Sequence, residues 1–154
     1  VTSYIALFIS MGAFGFTLFN WNHARQRDKR DLFLRLHELL LEADLQRGRR
    51  IALEQITSPE DAKAMRDANP DDYDTINRAM AFADLFALYA YEGYIDHGMA
   101  LGTWKYAFDR LRAPAEHFME HRRKMNGDIA WPNLRRFCEE AERSVATEAA
   151  ARNV

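Results

Sequence analysis

The segment YIALFISMGAFGFTLFNW, Tyr4 to Trp21, decides how the rest of the chain is read. No charged side chain occurs from Val1 to Asn22, and the length suits a helix crossing a hydrocarbon core, which takes about 20 residues. Ile5, Leu7, Phe8, Ile9, Phe14, Phe16, Leu18 and Phe19 each favour insertion by about 0.3–0.6 kcal/mol. Their sum, on the order of 2.5–5 kcal/mol, outweighs the cost of Ser10, Thr17, Asn20 and the glycines Gly12 and Gly15. Tyr4 and Trp21 stand near the two ends, where aromatic rings settle at headgroup level. The stretch therefore predicts a transmembrane helix over residues 1–22, with Tyr4 and Trp21 as interface anchors.

The flanking charges give this span a direction. Arg25, Arg27, Lys29 and Arg30 follow it, with Asp28 the one acid among them, and make residues 23–31 a basic juxtamembrane collar. A cleaved signal peptide is the competing reading. It requires positive charge before the apolar run and a small-residue cleavage site after it, whereas here the charges come after and no A-x-A-like site follows. The positive-inside rule places the N-terminus outside and residues 32–150 in the cytoplasm, as a single-pass protein of a bacterial inner membrane. Ala6, Ser10, Ala13 and Thr17 share one helix face. Small residues on a stripe let a second helix approach closely, although lipid-facing helices also carry such residues as ordinary composition.

The whole chain has 154 residues and a net charge of −2, which leaves room for one domain beyond the span and no basic field directed at nucleic acid. Arginine-rich, alanine-rich usage fits a GC-rich bacterial gene, and Val1 fits a GTG start translated literally. The single cysteine, Cys138, excludes an internal disulfide or a CxxC metal knuckle. It recurs with Leu134, Phe137 and Ala141 at helical spacing, the pattern of a buried small hydrophobe.

Beyond the collar every periodic stretch is helical, and no run alternates with period two, so the fold class is all-α. Leu32, Leu36, Leu39, Leu40 and Ala43 form an amphipathic face. Nothing between Trp21 and Leu32 breaks a helix, so span and face can form one rod. Gly48 is expected to interrupt it, with a short helix or turn through Ile51, Leu53 and Ile56. Ser58-Pro59-Glu60-Asp61 is a helix start, ending near Asn69-Pro70. Asp71 or Asp72 opens the next helix, whose stretch Ala79 to Tyr91 is too short to span and reads as the central buried helix. Gly93 ends it, Asp96 caps another, Pro114 kinks or restarts the chain, and Asn126-Gly127 stops it. Pro132 begins a last helix, expected to fray over the alanine-rich tail.

Three features bear on chemistry. His117-Phe118-Met119-Glu120-His121 matches H-x-x-E-H, in which two histidines on one helix face hold zinc and the glutamate acts as base. A third ligand would have to come from Glu139, Glu140, Glu142 or Glu148, and Arg122, Arg123 and Lys124 abut the same face and oppose a cation. A solvated helix face accounts better for the motif. Asp84 is an isolated acid in an apolar stretch, a structural buried charge that calls for a partner such as Arg35, His37, Arg78 or Arg110. Arg47, Arg49 and Arg50, like Arg122 to Lys124, are either anionic-lipid contacts or solvated basic faces. There is no phosphate loop, nucleophile elbow or Ser-His-Asp order, and nothing selects an axial haem ligand among His23, His37 and His97. Neither a cofactor nor a resident metal is expected.

The segment Leu32 to Leu41, Tyr73 with Ile76-Asn77-Arg78 ahead of the aromatic helix bearing Asp84, the exit residues Gly93 and Asp96, then Trp104, Pro114 and Trp131-Pro132 together resemble an uncharacterised bacterial domain-of-unknown-function family. The likeness covers about residues 31–144. It implies an N-terminal membrane anchor followed by a compact helical domain and brings no catalytic residues. The resulting expectation is a non-enzymatic accessory or adaptor subunit, whose partners are the lipid bilayer and other membrane protein subunits. The alternative is a self-assembling, homo-oligomeric membrane effector or sensor in stress or phage defence. A zinc peptidase using His117, Glu120 and His121 is the remote third reading.

Overall fold

A computed structural model describes the backbone of residues 2–127 and 130–152, and the side chains of residues 20, 21, 23–127 and 130–152. These residues form six helices and no strand. Helix α1 spans Thr2–Leu40, α2 Ala43–Gln55, α3 Pro59–Ala68, α4 Pro70–Tyr91, α5 His97–Asn126 and α6 Pro132–Arg152.

The ends of these helices follow from local chemistry. The Ser58 hydroxyl accepts from the Asp61 N–H, with Pro59 in the first turn, as the sequence signal requires. A Pro70 start for α4 leaves Asn69 as its cap position. The Asp96 carboxylate accepts from the Met99 N–H at 2.7 Å and caps α5. Gly127, with φ of 78°, closes α5 in the left-handed conformation that glycine adopts without steric cost.

Two expectations about helix continuity are corrected, at Gly48 and in the tail, and at Pro114 one of two alternatives is removed. Gly48 does not interrupt a helix: the break comes at Leu41-Glu42, and Gly48 lies buried in mid-α2. A Cβ there would fall 2.5 Å from the Thr75 carbonyl oxygen and 2.8 Å from Ala79 Cβ. The missing side chain is what lets α2 and α4 approach backbone to backbone. Pro114 does not restart the chain, since α5 runs through it for 30 residues. The alanine-rich tail remains helical to Arg152, in keeping with alanine's high helix propensity.

The core is largely aromatic and centres on Phe86 of α4. Its ring meets Phe33 of α1, Trp104 and Phe108 of α5, and Phe137 of α6 at centroid distances of 6.0–6.4 Å. Phe86, Phe118 and Phe137 are fully enclosed. Cys138 is buried beside them, and burial pushes its thiol up to about 12.

Among the described residues, helix α1 is seated in this core by its last turns, through Phe33, Leu36 and Leu40. Arg49 holds its end by donating to the Leu40 carbonyl at 2.8 Å, with its guanidinium 5.2 Å from the Trp104 ring. Because α1 is 39 residues long, it extends about 58 Å, and its described side chains from Asn20 to Asp28 are exposed. Among the described residues no helix is long and apolar enough to cross a membrane. The segment read as a span, including Tyr4, Ala6, Ser10, Ala13 and Thr17, has its side chains outside the described residues except for Asn20 and Trp21.

Candidate functional site

Side chains able to do chemistry gather in four places, and the geometry of each shows what it is used for. The first is Asp84, half-buried on α4. None of its expected cationic partners reaches it. Its carboxylate instead accepts from the Leu134 backbone N–H at 2.8 Å and from Asn133 Nδ2 at 3.3 Å. This is helix capping supplied from another element: the first turn of α6 has free N–H donors and a partial positive charge, and Asp84 satisfies both. The expected ion pair is thereby replaced by a cap, although the carboxylate still joins two helices. Trp131, just before this turn, takes a left-handed φ of 52°, and its ring stacks on Phe118 at 5.9 Å.

The second place is the H-x-x-E-H run on α5. His121 turns into the core, 5 % exposed, with its ring perpendicular to that of Tyr73 at 5.9 Å. Burial, followed by the field of Arg66, lowers its pKa. Glu120 is held by Lys124 at 3.0 Å, and that hydrogen bond depresses its carboxyl. His117 is half-buried. Among the described residues no three His, Cys, Asp or Glu side chains are grouped to hold a metal ion. A buried imidazole and a lysine-paired glutamate do not fit zinc hydrolysis.

The third place escapes sequence reading. Tyr91 at the end of α4 donates to Glu140 Oε2 at 3.0 Å, and His97 Nε2 lies 3.1 Å from the same oxygen. The partners are 49 and 43 positions apart in the chain, so no local spacing could reveal them. Burial, then the hydrogen bond to Glu140, raises the Tyr91 pKa. Arg136 covers the Tyr91 ring at 4.0 Å. On the same side of the molecule Lys105, nearly enclosed, pairs with Glu148, which also accepts from Tyr106 at 2.7 Å. Both groups clamp α6 to α4 or α5.

The fourth place is the collar with the turn opposite it. Arg25, Arg27 and Arg30 are exposed, Lys29 is half-buried, and Trp21 is 63 % exposed with Arg25 placed 6.0 Å from its ring. Gln26, Lys29 and Arg30 line a cleft of about 90 Å³ together with Asp96 and Met99, where α5 begins.

No family model, curated protein or solved structure matches this chain. Function has to be argued from these residues alone. Two of the four places are polar ties between helices, the H-x-x-E-H run is a buried imidazole beside a lysine-paired glutamate, and the fourth joins the collar to the start of α5.

Proposed function

We propose that the chain is a single-span bacterial inner-membrane protein whose helical domain serves as a non-enzymatic accessory or adaptor subunit on the cytoplasmic side. The observation that carries this reading is the continuity of α1. One unbroken helix joins the uncharged apolar segment to the collar, and then to Phe33, Leu36 and Leu40 in the core. A stiff helical joint of this kind transmits orientation, so a span docked against neighbouring helices would hold the domain at a fixed place on the membrane face. The small residues Ala6, Ser10, Ala13 and Thr17 suit such docking. Asp84 and Asp96 are engaged as helix caps and Glu140, His97 and Glu148 as clamps between helices, which supports a scaffold more than a catalyst.

The test is to tag the C-terminus, solubilise native membranes in mild detergent, and identify what co-purifies. A stoichiometric membrane partner, lost when residues 1–22 are replaced by an unrelated span, is the expected result. Recovery as a lone monomer would overturn the adaptor reading. Recovery only with copies of itself, accompanied by growth arrest on overexpression, would transfer the assignment to a self-assembling effector.

A further inference from the structure

Successive contacts show how the domain hangs from α1. Leu39 shares a cleft with Phe82 of α4, Phe33 faces Phe86, and Gln26, Lys29 and Arg30 share a cleft with Asp96 and Met99. Moving backwards along α1 is therefore moving forwards along α4, and the α4–α5 turn is the part of the domain nearest the apolar segment. At 1.5 Å per residue, the cleft at Gln26 to Arg30 lies about 8–14 Å beyond Trp21 along the helix axis. A headgroup layer is about 5–8 Å deep on each side of the hydrocarbon. With Trp21 at that layer, the turn sits at its aqueous edge.

The composition of this corner suits the location. Tyr94 is 58 % exposed and braced by Tyr89 at 5.5 Å, and Met99, in the lining of the cleft, is 39 % exposed. Lys29 and Arg30 make no hydrogen bond or ion pair among the described residues. Lys29 and Arg30 outnumber the one carboxylate in the cleft, Asp96, one oxygen of which accepts from the Met99 N–H, so the lining keeps an excess of one positive charge. A volume of about 90 Å³ admits a single tetrahedral anion and falls well short of the roughly 300–1,000 Å³ of small-molecule sites.

We propose that the cleft between the α1 collar and the start of α5 seats the phosphate of an anionic lipid headgroup, with Tyr94 and Met99 resting in the interface as a second membrane contact of the domain. The proposal rests on the anchored reading given above. Lys29 and Arg30 supply the charge, and the ring of Tyr94 supplies the amphipathic surface that interfaces favour. The contact would fix the tilt of the domain, which a single helix leaves free to rotate about its axis.

The test uses the full chain carrying Met99→Cys, labelled with an environment-sensitive fluorophore. The native Cys138 is buried and stays unlabelled while the protein is folded. The labelled protein is reconstituted in phosphatidylcholine vesicles with or without phosphatidylglycerol and quenched by headgroup-attached nitroxides. Carbonate extraction of the same vesicles reports insertion independently. Expected is a protein that resists extraction, with quenching several-fold stronger when phosphatidylglycerol is present. Lys29→Gln with Arg30→Gln should abolish that increase while the circular dichroism stays helical. Resistance to extraction with a label equally exposed in both lipids would overturn the lipid site and leave the anchor standing. Release by carbonate would overturn both. A label that responds to inorganic phosphate in detergent as strongly as to phosphatidylglycerol would reassign the cleft to a free anion and overturn the lipid proposal.

Discussion

Helix α4 meets α2 and α6 by opposite means at the points of closest approach. Towards α2, beyond the exposed Arg47–Asp72 ion pair, the closest contact is steric: Gly48 offers no side chain, and the Thr75 carbonyl and the Ala79 methyl occupy the space where one would stand. Towards α6 the junction is polar at both ends of an apolar middle, with Asp84 capping the first turn of α6 and Tyr91 reaching Glu140, while Phe86 packs on Phe137 between them. A close backbone approach tolerates no addition. A hydrogen-bonded junction tolerates any substitution that keeps the donor and acceptor matched. The two faces should therefore respond differently to conservative change.

The largest expected effect is at Gly48. Replacing it by alanine gains about 1 kcal/mol of helix propensity but drives a methyl into backbone, an overpacking cost of about 1–3 kcal/mol. Net loss of stability is expected for Gly48→Ala, and a loss of about 3 kcal/mol for Gly48→Val, whose branched side chain cannot turn away. Urea denaturation of both variants measures this. A Gly48→Ala protein more stable than the parent would show that α2 and α4 are not in backbone contact.

Asp84 gives the intermediate effect and separates a cap from an ion pair. Asp84→Ala removes the acceptor for the Leu134 N–H and should cost about 1–2 kcal/mol. Asp84→Asn keeps an oxygen in the same place and should recover most of that loss. An ion pair would predict the reverse, with asparagine nearly as harmful as alanine and the loss diminished by salt. Equal destabilisation by the two substitutions would break the contrast between the faces.

The same residues show what the sequence could and could not disclose. The all-helical class, the start of α3 at Ser58-Pro59, the end of α5 at Gly127 and the buried stripe around Cys138 are local patterns, and each is found where its pattern places it. Gly48 is ambiguous in the sequence because a glycine in a helix carries one signal for two outcomes, a break or a close approach, and only the position of α4 distinguishes them. The position of Asp84 in an apolar stretch shows an acid that needs a partner, but nothing local distinguishes a cation from the helix terminus that fills the role. The Tyr91–His97–Glu140 group left no trace at all, being assembled from three helices by tertiary packing. Of the candidate site, the collar was legible as charge, whereas the cleft it forms with Asp96 and Met99 required the antiparallel course of α1 and α4.

Tyr91 carries the smallest expected effect and the finest test of the polar face. Tyr91→Phe deletes one hydrogen bond to Glu140 and should cost about 0.5–1.5 kcal/mol, below the Gly48 variants. The two proteins should then diverge with pH. Burial and the Glu140 hydrogen bond raise the Tyr91 pKa above its ordinary 10.0, so the folded chain holds this proton after the unfolded chain has released it. Where the unfolded state binds fewer protons, stability falls as pH rises. The contribution of Tyr91 is therefore complete below pH of about 10 and is lost progressively above it. Other tyrosines titrate in the same range, which makes the difference between the proteins the informative quantity. The parent's advantage over Tyr91→Phe should be constant from neutral pH to about 10 and shrink at higher pH. An advantage that instead grew above that point would mean that Tyr91 ionises more readily in the folded chain than in the unfolded one, and would remove Glu140 as its partner.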